Sequence, residues 1–176
     1  MALRIVEAGI VVMGPPCSLF IAMSWRYHRR TVKRPWGNES RCDVCVANAI
    51  ARNVFFLCNI LTSRHVYWIV EHPATGWLFK LPRELRGYPL MVGTCLQAFS
   101  EHSSLKPLHL LSTLPDVYMS RLRHRGHQVP KKAYGLSKNK RWKANKHTRS
   151  SGAYPIMFAM AIYNVWQMCA KHSLGV

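Results

Sequence analysis

A chain of 176 residues can build one domain with a true core, but not two comfortable ones. Its 49% apolar content excludes wholesale disorder, and its 6 cysteines lack the dense, regular spacing of a secreted disulfide scaffold. The outlier is charge: 25 Lys and Arg against 7 Asp and Glu leave +18, which favours nucleic acid or an anionic membrane surface as partner.

In chain order, Ala2 to Ala8 reads as the end of a helix stopped by Gly9, with an acid and no long apolar core to suggest a signal peptide. Ile10 to Gly14 is an apolar strand, expected to be central and covered on both faces. Ala8 to Trp25 is uncharged and long enough to raise a membrane span, but Gly14-Pro15-Pro16 breaks a helix there, so a membrane partner is not expected. Leu19 to Trp36 turns basic at Arg26, Arg29 and Arg30 and reads as a loop over whatever the first strand delivers. With Asn38 or Ser40 as cap, a helix follows from about Asp43 to Thr62. Val46, Ile50, Val54, Leu57 and Leu61 mark its expected buried face.

His65 to Val70 is a second apolar strand, and strand, long helix, strand makes a parallel crossover the default. Ala74 to Leu85 reads as a short helix before the Gly87-Tyr88-Pro89 turn. Met91 to Phe99 and Leu105 to Ser112 can pair as an antiparallel hairpin. Leu114-Pro115-Asp116 opens a short helix, after which no acidic residue occurs. Residues 121–150 read as a flexible basic segment, and Tyr154 to Cys169 as an amphipathic helix burying Phe158, Ile162, Val165 and Met168 or Cys169. The expected division is therefore an α/β unit over 1–120, the basic segment over 121–150, and a final helix over 151–176 that packs back.

Both apolar strands stop on proline beside a side chain able to do chemistry: Cys17 in Gly14-Pro15-Pro16-Cys17-Ser18, and Glu71 in Val70-Glu71-His72-Pro73. Two strands delivering a thiol and a carboxylate from their carboxyl ends is how an open α/β sheet builds a site. Cys17 can equally be a buried thiol and Glu71 a turn cap; their pairing is what lifts them. Cys42 and Cys45 form a C-x-x-C, but no second Cys or His pair follows at zinc-finger spacing, so no metal is expected. In the basic segment, Lys138, Lys140, Arg141 and Lys143 surround Trp142, which can stack on a base; a solvated tail is the plain alternative.

Together these motifs resemble the DNA (cytosine-5) methyltransferases, whose Pro-Cys turn ends one strand and whose Glu-Asn-Val-type turn ends the next. A group of uncharacterised algal methyltransferase-like proteins is more similar still, sharing Gly-Pro-Pro-Cys-Ser, a Gly-Asn before the crossover helix (here Gly37-Asn38) and Val-Glu-x-Pro. Lys106-Pro107 and Ala153-Tyr154-Pro155 also look similar to that group. The resemblance implies a partial Rossmann-like S-adenosylmethionine-dependent fold, α/β with an open, mostly parallel sheet and flanking helices. It implies that the Cys17 thiolate adds to a cytosine turned out of the duplex, that Glu71 assists at the base, and that Arg26, Arg29 and Arg30 hold phosphates. An intracellular and, in a eukaryote, nuclear DNA-binding protein is the matching expectation.

The pattern departs from that family in places. A glycine-rich cofactor turn and a ribose-binding acid are missing, Ser18 stands for glutamine, and His72 stands for asparagine. The expected protein is thus a fragment, a degenerate copy, or a chain whose cofactor half is supplied by another protein, with little activity alone. A non-enzymatic basic nucleic-acid binder with a vestigial site, and a membrane-associated protein, are the alternatives.

Overall fold

The computed structural model describes residues 6–82, 85–87, 89–99, 107–123, 134–136, 142–144 and 154–174. Its centre is an open four-stranded sheet in the order β1-β2-β4-β3, built from β1 (Ile10–Met13), β2 (Tyr67–Pro73), β3 (Leu90–Cys95) and β4 (Pro107–Ser112). β1 and β2 are parallel, in a register that sets Ile10 beside Tyr67 and Met13 beside Val70. The connection between them carries α2 (Cys42–Ser63), as the apolar run–helix–apolar run pattern predicts.

β4 lies antiparallel to both β2 and β3. The sheet is therefore mixed rather than mostly parallel: β1, β2 and β3 run one way, and β4 is reversed between the last two. The cause is the connection. β3 and β4 are joined as the expected hairpin neighbours, and after β2 the described residues hold a 3-10 turn at Leu78–Lys80 in place of the helix expected over Ala74 to Leu85. β1, expected to be central, is an edge strand, and Val12 is half exposed.

Alternation along the strands sorts the core into two layers. Val11, Met13, Trp68 and Val70 pack with α2; Ile10, Tyr67 and Ile69 pack with α4 (Ile156–Leu174). The α2 face is rotated from the predicted stripe: Val44, Ala47, Asn48, Ala51, Phe55, Cys58 and Leu61 are buried, whereas Val46 is 53% exposed. Small side chains at Ala47 and Ala51 let the helix axis approach the sheet, and apolarity alone does not reveal that. The helix begins with Arg41 in the N-cap position and no side-chain cap; Ser40 donates to Asn38 instead. Length and apolarity would let α2 cross a membrane, but here it is the helix that closes one side of the core. α4 buries Phe158, Ile162, Val165 and Cys169 against β2, β3 and β4, the face predicted for it.

Short helices at α1 (Trp25–His28) and α3 (Asp116–Met119) complete the main body. In the basic segment, β5 (Tyr134–Leu136) and β6 (Trp142–Ala144) form a separate antiparallel pair. Lys138, Lys140 and Arg141 lie outside the described residues, as do residues 2–5 of the expected first helix, whose described end over 6–8 is a turn and not a helix. Trp142 and Lys143 are placed in β6 by backbone alone.

Candidate active site

Because β1 and β2 are parallel and in register, they end side by side, and the chain leaves β1 through Gly14-Pro15-Pro16-Cys17 next to Glu71. A Cβ placed on Gly14 would sit 3.5 Å from Glu71 Oε2 and 3.6 Å from the Tyr154 hydroxyl. Cys17 is half-buried, and its carbonyl accepts from Phe20 N–H at 2.9 Å, closing the turn after the prolines. The two residues singled out in the sequence therefore come from adjacent strand ends.

Glu71 is 4% exposed, and a carboxyl so deep in the fold requires hydrogen bonds. The Tyr154 hydroxyl donates one to Oε2. Tyr154 stands just ahead of α4, with its ring stacked on Phe158. Burial first, then the hydrogen bond to Glu71 and its charge, and last the Cys17 sulfur, push the phenol well above its ordinary value. Tyr154 thus senses both predicted residues. Sequence reading placed it in a family-like Ala-Tyr-Pro but gave it no role, because nothing local connects it to a partner 83 positions away.

His72 follows Glu71 but faces the other side of the sheet. Fully buried, its ring meets Phe20 and Phe79 edge-on at 5.7 and 5.9 Å. Gly76 packs beneath it, where an added Cβ would come within 2.2 Å of His72 Cε1. His72 is a packing residue of the α2 layer. Gly76, after β2, backs onto His72, whereas Gly14, after β1, is exposed beside Glu71 and Tyr154.

The loop after Cys17 contains the main correction. Arg30, expected to hold phosphate, is fully buried. Its Nε donates to Leu19 O at 3.0 Å, Nη1 to Pro35 O at 2.9 Å and Nη2 to Asn48 Oδ1 at 2.8 Å, and its guanidinium lies 4.3 Å from the Phe20 ring centre. Burial lowers it to about 10, partly offset by Glu39. Every face of the group is used inside the fold, so it is an anchor. Asn48 extends the anchor, donating to Trp36 O at 2.9 Å and Glu39 Oε1 at 3.0 Å. Gly37, at φ 73°, closes the loop where a Cβ would lie 2.2 Å from His28 O. Arg26 and Arg29, by contrast, are exposed.

His28 is the second buried anchor. Its Nδ1 accepts Arg30 N–H at 3.0 Å, so Nε2 carries the proton shared with Ile21 O at 2.9 Å. Burial, and secondarily the Arg30 charge, lower its affinity for a second proton below the ordinary 6.5, against the opposing Ile21 bond. The unfolded chain then binds that proton more readily than the folded one. The loop should accordingly lose stability as pH falls below 6.5 towards the lowered native value, and regain it above. The expected loss is about 1 kcal/mol, one buried hydrogen bond. Thermal melts across that window check it, with His28→Gln, which keeps a donor and an acceptor, removing the acid-dependent part.

None of the 6 cysteines forms a disulfide; Cys42 and Cys45 are exposed at the start of α2, and burial pushes the Cys58 thiol up to about 12. Among the described residues no three His, Cys, Asp or Glu side chains gather as metal ligands would. Comparison with family models, curated proteins and solved structures finds no match to this chain.

Proposed function

We propose that this chain is a cytosine-5 methyltransferase-like protein whose described residues form the base-engaging half of such a site. The observation that carries the reading is the parallel, in-register ending of β1 and β2, which sets Gly14, at the start of the Pro-Pro-Cys turn, beside Glu71. The cofactor half would then extend the sheet past the open edge of β1, as a partner chain.

The chemistry assigned to this chain is adduct formation. The Cys17 thiolate forms a bond to C6 of a pyrimidine, and the C5=C6 π pair moves to C4–C5. The C4=N3 π pair passes to N3, which takes up a proton at the Glu71 carboxyl. No methyl transfer is assigned to these residues alone.

Trapping tests the reading without a methyl donor. DNA carrying 2-pyrimidinone, electrophilic at C6, should give a denaturant-resistant conjugate with the wild-type chain and none with Cys17→Ser. Absence of a conjugate, or one that survives Cys17→Ser, overturns it. The net charge of +18 favours a second reading, a nucleic-acid binder with a vestigial site. Salt-dependent DNA binding with no conjugate would select that one.

A further inference from the structure

Residues 25–34 form a surface of which the resemblance assigns only arginines, leaving its aromatic residues without a role. Trp25 and Tyr27 are 52% and 55% exposed, and Arg26, Arg29, Lys33 and Arg34 are exposed around them. No acidic residue occurs between Ser18 and Asn38. Two exposed aromatic rings within a stretch whose only charges are positive combine the parts by which proteins hold unpaired bases: rings to stack on, and positive charge to follow the backbone.

The loop is built to keep those groups in place. Exposed Tyr27 and Arg29 alternate with buried His28 and Arg30. Arg29 turns the chain at φ 48°, with its N–H bonded to Trp25 O at 2.8 Å. Thr31 and Arg34 exchange backbone hydrogen bonds at 3.1 and 3.0 Å, and Asn38 N–H closes on His28 O at 2.8 Å. A surface fixed before binding loses little conformational entropy when a ligand settles on it. Arg41 already lies 5.3 Å from the Tyr27 ring centre, so this ring does take a π partner.

We infer that the Trp25–Arg34 segment is a binding platform for single-stranded nucleic acid, with Trp25 and Tyr27 each offering a ring to a base and Arg26, Arg29, Lys33 and Arg34 on the backbone phosphates. The inference deepens the proposed function by naming an unpaired strand as its substrate class, since the loop follows directly on the Cys17 turn. A single-stranded target also spares the site the cost of unstacking a base. A basic, aromatic loop with Val32 exposed beside it also suits an anionic membrane, which is one outcome of the test.

The experiment titrates the full chain with fluorescein-labelled oligodeoxythymidylate, with the same strand in duplex, and with phosphatidylserine vesicles. Single strand should bind more tightly than duplex, and Trp25→Ala or Tyr27→Ala should each weaken it about tenfold or more. Trp25→Phe should restore most of the loss, because any aromatic face stacks and a folding defect would not be rescued. Arg29→Ala should lower the salt slope by about 0.7. Adduct trapping is read separately on the wild-type chain, so strand binding without a conjugate leaves the platform standing while the adduct reading falls. Equal affinity for duplex, indifference to both alanine variants, or ring-dependent binding to vesicles but not to oligonucleotide would each overturn the platform.

Discussion

Replacing Arg30 by methionine is expected to cost about 3–5 kcal/mol, the cost of leaving buried polar partners of a charge unmatched. The guanidinium serves Leu19 O, Pro35 O and Asn48 Oδ1 at once while covering Phe20, and no other group in the loop is placed to do this. Arg30→Lys should be nearly as damaging, since a single ammonium cannot spread three donors in a plane. Denaturant midpoints measure the loss, and alkylation of Cys17 should quicken in the variants as the loop that follows it loosens. An unchanged midpoint in Arg30→Met would show that the loop is held by something else. Arg29→Ala, one residue away and exposed, should leave the midpoint alone.

The second large effect is expected at Tyr154. Tyr154→Phe removes the donor that reaches Glu71 Oε2 and should cost about 0.5–1.5 kcal/mol, the worth of an ordinary hydrogen bond, because Tyr154 is 46% exposed. The wild-type chain should also show an alkaline signature. Because the phenol is held above its ordinary 10.0 in the fold, the unfolded chain gives up this proton first, and stability declines as pH rises past that value. Tyr154→Phe should abolish that part of the decline. Glu71→Gln, which keeps an acceptor but removes the charge, should only reduce it. Melting curves with parallel tyrosinate absorbance check all three; an identical alkaline decline in Tyr154→Phe would rule out the contact as its source.

Much of this architecture was legible in local pattern. Apolar β-branched runs at Ile10–Met13 and Tyr67–Pro73 with a long helix between them are enough to expect a parallel pair, and the pairing alone brings Cys17 and Glu71 to one end of the sheet. Phe158, Ile162 and Val165 announced the buried side of α4 by their spacing. The direction of β4 was less visible, because strand composition does not encode which neighbour a strand pairs with. β1 looked central because an apolar strand reads the same at an edge. Arg30 was misread for a similar reason: in a basic run, one arginine among several carries no mark of burial. What distinguishes it is the set of carbonyls the loop turns inward, and these exist only in three dimensions. Tyr154 needed the return of a helix from the far end of the chain.

That return has a consequence for how the protein comes to be folded. Trp166 Nε1 donates to Ala8 O at 2.7 Å across 158 positions, and Tyr154 reaches Glu71 across 83. Until α4 has been synthesised, one whole side of the sheet, with Ile69, Val92, Leu108 and Leu110, lacks its cover. A nascent chain emerging from the ribosome would therefore carry an open apolar surface from the synthesis of β4 until that of α4. Contacts of such long separation make for slow folding and exposure to aggregation. The protein should depend on chaperones while it is made, and much less once the last helix has docked.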